Sequence, residues 1–312
     1  MDNIIKGLHH ITAIAGNPQL NYDFYAKVLG LRLVKKTVNF DDPQTYHFYF
    51  GDSVGTPGTI LTFFPWPGVK PGKTGAGMAT EIGFEVPENS LDFWANRFED
   101  YAVSHGDITE KMGEKTLAFR DPEGLNLTLV GTNEGVEGNP WETSEIKADA
   151  AIKGFHSVTL TVRDKKGTVS ILNGIFGYEL IKQEGNVFRY KTEAVESASI
   201  VDIVEDAAAQ PGLNAGGTNH HVAFRVKDEA TLMAFREIIL KRGHHITEKI
   251  DRQYFYSLYF REPGGVLFEI ATDNPGFATD ETPEGLGSSL QLPPQYESAR
   301  ASIEKVLLPL EM

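Results

Sequence analysis

Apolar residues recur along the chain with two periods, and the alternation between them repeats. A strand-like run with every second position apolar occurs at His10-Ile11-Thr12-Ala13-Ile14, Glu81-Ile82-Gly83-Phe84-Glu85-Val86, His156–Val162 and His221–Val226. Each run is followed by a stretch of helical spacing: Asn21–Leu29, Leu91–Phe98, Val169–Phe176 and Leu232–Leu240. Shorter β-rich runs come next, such as Tyr46–Phe50 and Ser257–Phe260. Pro-Gly turns at Pro57-Gly58 and Pro263-Gly264, with a looser version at Asp121-Pro122-Glu123-Gly124, open a last strand about 50 residues after the first.

The pattern predicts an α+β protein of four βαβββ modules, near 7–66, 78–131, 153–205 and 218–273. They form two pseudo-repeated halves, 1–143 and 152–312, joined by a polar linker over Gly131–Ala151. A Gly- and Pro-rich tail follows Asp273, and Tyr296–Leu308 reads as a closing helix. One such module cannot cover its own curved mixed sheet, so modules pair around a shared concave face, a natural ligand site.

Strand parity sorts the side chains, because successive residues point to opposite faces. In the fourth module Val222, Phe224 and Val226 lie under the helix, which turns His221, Ala223 and Arg225 inward. The same logic turns Glu269 inward in the last strand, and His10, Thr12 and Ile14 inward in the first module. A lone strand histidine is more often a hydrogen-bonded core residue. A carboxylate inside Val-Leu-Phe-Glu-Ile-Ala is rarer, because an unpaired buried charge is strongly disfavoured. Two imidazoles and one carboxylate at repeat-equivalent positions form the facial set typical of non-heme Fe(II), with Mn(II) as a hard-metal alternative. Aligned on the Pro-Gly turns, Phe63 and Thr128 take the position of Glu269 in the first and second modules. The second and third modules offer Glu81, Thr128, Ser157 and Asp202, with His156 one place out of phase. That set reads as a copy without its metal.

Composition removes competing classes. The 312 residues carry 29 Lys plus Arg against 43 Asp plus Glu, a net charge of -14 that repels phosphate backbones and anionic membranes. With no Cys, thiolate metal sites, Fe–S clusters and a Cys nucleophile are excluded. No apolar run reaches the roughly 20 residues of a membrane helix. Met1–Lys6 does not read as a signal peptide, so a cytoplasmic protein is expected.

The stretches Leu8-His9-His10-Ile11-Thr12, Val34-Lys35-Lys36-Thr37, Tyr46–Phe50, Gly55–Thr59, Lys153–Ser157 and Gly264–Glu269 resemble the vicinal oxygen chelate superfamily. That superfamily spans glyoxalase I, bleomycin- and fosfomycin-resistance proteins and extradiol dioxygenases. Within it the likeness is to hydroquinone-type ring-cleaving dioxygenases, from about residue 7 to Tyr296. The resemblance implies that the first module pairs with the fourth and that His10, His221 and Glu269 hold Fe(II). It further implies that His9 and His220 support those ligands, that Thr12 contacts substrate or dioxygen, and that Arg252 and Tyr259 stand near a substrate hydroxyl. Arg252 is out of parity with Tyr259 and has to reach in from the preceding turn.

The expected activity is insertion of dioxygen into a hydroquinone or catechol-like diol. The expected partners are that diol and O2, without nucleic acid or membrane, and a homo-oligomer is compatible. The alternatives are a glyoxalase-type isomerase, which wants a second carboxylate where Phe63 is aligned, and a non-catalytic drug-binding protein. Phe63, Phe64, Trp66 and Phe255 suit an aromatic pocket or a core equally, His244-His245 reads as a solvated turn, and His47 and His105 are left unassigned.

Overall fold

A computed structural model describes residues 4–133 and 138–312. Residues 1–3 and the centre of the expected linker, 134–137, lie outside the described residues. The first module supplies β1 (Leu8–Ala15), α1 (Pro18–Tyr22), β2 (Arg32–Asn39), β3 (Asp42–Gly51) and β4 (Ile60–Pro65). The second supplies β5 (Met78–Pro87), α2 (Leu91–Asp100), β6 (His105–Lys111), β7 (Glu114–Arg120) and β8 (Asn126–Thr132). The third supplies β9 (Gly154–Val162), α3 (Lys166–Leu172), β10 (Glu179–Glu184), β11 (Val187–Lys191) and β12 (Ile200–Glu205). The fourth supplies β13 (Thr218–Val226), α4 (Glu229–Lys241), β14 (Ile250–Asp251), β15 (Phe255–Arg261) and β16 (Leu267–Pro275).

Local chemistry sets the helix starts. Asn17 accepts from the Gln19 and Leu20 amides ahead of α1, and Asp228 accepts from Thr231 ahead of α4. In α4 the buried residues Leu232, Phe235 and Ile239 fall on one stripe against the sheet. The first helix begins earlier than its apolar spacing suggests and widens at Asp23–Val28 into a π-helix. There the Leu29 amide reaches the Phe24 carbonyl, five residues back.

Two eight-stranded sheets result, and their pairing crosses the sequence halves. One runs β14-β15-β16-β13-β1-β4-β3-β2 and joins the fourth module to the first; the other runs β10-β11-β12-β9-β5-β8-β7-β6 and joins the third to the second. At each centre the two opening strands run antiparallel, around Ile11↔Val222 in one sheet and Ile82↔Val158 in the other. One large apolar core draws residues from all four modules, among them Phe63, Phe98, Phe155 and Phe224, with smaller clusters beside it.

The described end of the linker packs against the protein. Ile146, Ala150 and Ala151 join the core, and the Ala150 carbonyl accepts from the Trp94 indole. The tail forms a strap over the first sheet. Its Asp280 and Glu281 pair with the buried Lys35 amine, and Gln291 hydrogen-bonds the edge strand β2. The closing helix is shorter than expected, a 3₁₀ turn at Pro294–Ala299 followed by α5 (Arg300–Val306).

Candidate metal centre

β-bulges decide which side chains reach the concave faces. In the β1–β13 ladder Leu8 pairs with Phe224 but His10 with Ala223, and Thr12 pairs with His221 but Ala13 with Asn219. His9 and His220 are therefore the extra residues of two symmetry-related bulges, each followed by His10 or His221. Strict alternation would send His9 and His220 away from their neighbours. The bulges instead set the Nδ1 atoms of His9 and His10 2.9 Å apart, and those of His220 and His221 2.8 Å apart.

Glu269 lies on β16 opposite Ala223, one strand over from His221. Its Oε2 is 2.9 Å from His221 Nε2 and 3.2 Å from His10 Nε2, and the two imidazole nitrogens are 3.3 Å apart. All three residues are buried, Glu269 fully, yet neither of its oxygens has a hydrogen-bond partner. Such a carboxylate, removed from water and facing two imidazoles, carries a desolvation cost of several kcal/mol that a shared cation offsets. The three side chains form the metal-compatible cluster of the described residues. Burial pushes the Glu269 carboxyl up, but the flanking imidazoles outweigh it and hold it well below the usual carboxylate range. Burial, reinforced by His10, keeps His9 neutral, and burial lowers His221.

The tautomer of His10 follows from hydrogen bonding. His9 Nε2 lies 3.1 Å from the Thr272 carbonyl, which can only accept, so the proton of neutral His9 sits on Nε2. His9 Nδ1 is then an acceptor, and His10 Nδ1–H donates to it. That leaves the His10 Nε2 lone pair directed at Glu269, as a metal ligand requires. Two imidazole nitrogens and one carboxylate oxygen therefore fit a divalent cation.

The cluster opens into a cavity of about 490 Å³. Phe64, Trp66, Phe255, Tyr259 and His220 line it with Thr12, so the aromatic residues suspected of a pocket divide: these face the cavity, while Phe63 packs in the core on Tyr25 at 4.4 Å. Burial, helped by His221, pushes His220 down to about 3. Arg252 does reach in from the turn before β15. Its guanidinium lies over the Tyr259 ring at 5.5 Å and pairs with Asp41 at 3.2 Å. Burial and the Glu269 charge push the Tyr259 phenol up.

One sequence expectation needs correction. The position matching Glu269 in the first module is Thr62, not Phe63, because Thr62 pairs with Thr12 as Glu269 pairs with Ala223. From the turn proline to the matched position is five residues in the first module (Pro57 to Thr62) and six in the second and fourth (Pro122 to Thr128, Pro263 to Glu269), which displaces an alignment on the prolines. His156 does stand one place before Ser157, the counterpart of His221, and so matches His220. It is the extra residue of a third bulge, between Ser157 and Phe155 in the β5–β9 ladder, and it lines the concave cleft of the second sheet. There His156 Nε2 is 2.9 Å from Glu114, and Arg189 grips Asp202 through two nitrogens at 2.8 and 2.9 Å. Glu81 pairs instead with Lys111 at 2.7 Å. His245 is exposed, and His105 bonds the Gly106 carbonyl.

Sequence reading also missed His47 and Tyr49, which line the cavity. Their strand is aromatic on both faces, so parity carried no signal there.

Among the described residues, no helix is long and apolar enough to cross a membrane. The chain is 46% identical to MhqO, a proposed ring-cleaving dioxygenase of Bacillus subtilis (strain 168), over 98% of its own length and 97% of that protein. It is 33% identical to the chlorohydroquinone/hydroquinone 1,2-dioxygenase of Sphingobium indicum, covering 97% and 96% of the two chains. A crystal structure of a proposed dioxygenase from B. subtilis superposes with a TM-score of 0.95 at 46% identity, over 99% and 98% of the chains. Residues 7–129 and 154–270 match the profile of one family. The chain thus belongs to the Glyoxalase/Bleomycin resistance protein/Dioxygenase superfamily.

Proposed function

We propose that the protein is a ring-cleaving dioxygenase that holds Fe(II), or alternatively Mn(II), on His10, His221 and Glu269 and opens a hydroquinone-type aromatic diol with O2. One observation carries this reading: a buried His–His–Glu set meets at the floor of a cavity walled by aromatic rings. Relatives named for ring cleavage and for hydroquinone support it. When bound, the ion would lower the pKa of a ring hydroxyl offered to it and bring that oxygen beside dioxygen.

The remaining roles belong to the chain's own side chains. His9 and the Thr272 carbonyl hold the His10 ring in its ligand tautomer. If His221 Nε2 is a ligand, His221 Nδ1–H donates to His220, which turns a His220 Nε2–H toward the cavity as a donor for a diol oxygen. Phe64, Trp66 and Phe255 offer flat apolar surface to a ring and exclude water from it. Arg252 places a positive charge behind Tyr259, where negative charge on a substrate oxygen is stabilised. Thr62 at the position matching Glu269 supplies no carboxylate for the base of a glyoxalase-type isomerase.

The test is oxygen uptake by Fe(II)-loaded protein with hydroquinones and catechols, with a methylglyoxal–thiol adduct as control. Uptake with a diol and no isomerisation of the adduct is expected; the reverse result would replace this assignment.

A further inference from the structure

His47 stands outside the ligand set, yet it is tied to the cavity wall by a continuous chain of hydrogen bonds. Tyr49 Oη lies 2.9 Å from His47 Nδ1, and His47 Nε2 lies 2.9 Å from Thr62 Oγ1. Thr62 Oγ1 in turn lies 2.9 Å from Thr12 Oγ1. Thr12 pairs across the ladder with His221 and shares a strand face with His10, so the chain ends beside the proposed ion.

Four groups in a row have two self-consistent directions, and their surroundings select one. Tyr49 packs in a small apolar cluster with Val34, Ile60, Tyr254 and Phe277. Its hydroxyl has one hydrogen-bond partner among the described residues, His47 Nδ1. Were His47 protonated on Nδ1, the phenol would have no acceptor on the protein among the described residues, and a donor left unmet on burial costs about 1–3 kcal/mol. With the phenol donating to Nδ1, His47 Nε2–H donates to Thr62, and Thr62 donates to Thr12. The Thr12 hydroxyl hydrogen is then left for the cavity. Burial lowers His47 and raises Tyr49, so both stay neutral and the chain keeps its direction.

We propose that Tyr49, His47 and Thr62 are positioning residues that make Thr12 an obligate hydrogen-bond donor to an oxygen of the diol or of dioxygen as negative charge builds on it. The inference rests on the dioxygenase reading for its consequence, though not for its geometry. A pre-aimed donor matters because it costs no reorganisation when charge develops. A Thr12 whose hydroxyl turned back to Thr62 would present only lone pairs to that oxygen and repel it.

Two measurements test this, and their failures are separable. Long-range ¹⁵N–¹H spectra of the full chain, metal-free and with Zn(II) as a diamagnetic probe, should find His47 protonated on Nε2 and bare on Nδ1. The opposite tautomer overturns the proposal whether or not the protein cleaves rings. In oxygen-uptake assays His47→Leu should lower kcat about tenfold with KM within about twofold, and Thr12→Val should lower it by at least as much. Combined, the two losses should not multiply, because both remove one donor. His47→Gln, which keeps an Nε2–H toward Thr62, should regain most of the rate. Multiplying losses, or normal turnover in His47→Leu, would overturn the chain. If His47→Leu fails to fold, Tyr49→Phe reads the same point with an expected loss of about threefold. A wild type without diol-dependent uptake would defeat the dioxygenase reading instead, leaving the tautomer to judge the chain.

Discussion

Glu269 and Asp202 occupy matched positions in the two sheets, each on the strand beside the opening strand of its module and each almost wholly buried. Their partners differ. Across from Asp202 stands Arg189, whose guanidinium binds it through two nitrogens and also pairs with Glu114. At the matched place across from Glu269 stands Tyr259, and no Lys or Arg pairs with the Glu269 carboxylate among the described residues. A buried carboxylate needs a cation. One sheet supplies it covalently, as a side chain; the other surrounds the same position with imidazole nitrogens, which on the proposed reading leaves the charge to an ion. On that reading the same bulged scaffold carries one structural and one chemical solution.

The largest way to break this comparison is Arg189→Leu. It strands Asp202 without its cation and should cost about 3–5 kcal/mol of stability in denaturant unfolding. A loss below about 1 kcal/mol would mean that the guanidinium is not what neutralises the second sheet. Next in size is the ion itself. At a hundredfold excess over Kd it should stabilise the wild type by about 2.7 kcal/mol. Glu269→Gln should gain nothing from the ion, and metal-free it should be at least as stable as the metal-free wild type. Smaller is His9→Phe, which removes the acceptor that holds the His10 tautomer. It should weaken metal affinity about 10–100-fold in chelator competition while leaving the unfolding midpoint of metal-free protein nearly unchanged.

The smallest effect lies in the acid limb of the second sheet. Burial opposes ionisation of Glu114, but His156 and Arg189 together bring its carboxyl from 4.5 to about 2. A depressed carboxylate stabilises the folded state above its unfolded pKa, and that contribution is lost as pH falls through the folded value. Stability should therefore decline between about 4.5 and about 2 in the wild type, and Glu114→Gln should flatten that part of the curve. Unfolding by urea across this range measures it.

Much of this was legible before any coordinates. The four modules and the inward direction of His10, His221 and Glu269 follow from period-two alternation and repeat spacing, and the pairing of first with fourth is implied by the family resemblance. Parity failed where the backbone breaks its own period. A bulge adds one residue without a sequence mark, which hid the inward turn of His156. A first-module turn one residue shorter than the others moved Thr62 to Phe63 in alignment. The cavity face of His47 and Tyr49 stayed hidden because Tyr46, Phe48 and Phe50 make the other face aromatic too. Lys35 sits in a strand as a buried cation, intelligible only once the strap brings Asp280 and Glu281 over it from 245 and 246 residues away.

Metal stoichiometry tests the central claim most directly. Protein purified, stripped and titrated anaerobically with Fe(II) should bind one ion per chain, and His10→Ala, His221→Ala and Glu269→Ala should each abolish that binding. Retention of the ion in all three variants, or two equivalents per chain with the second lost on changing Asp202, would contradict the division of labour between the sheets.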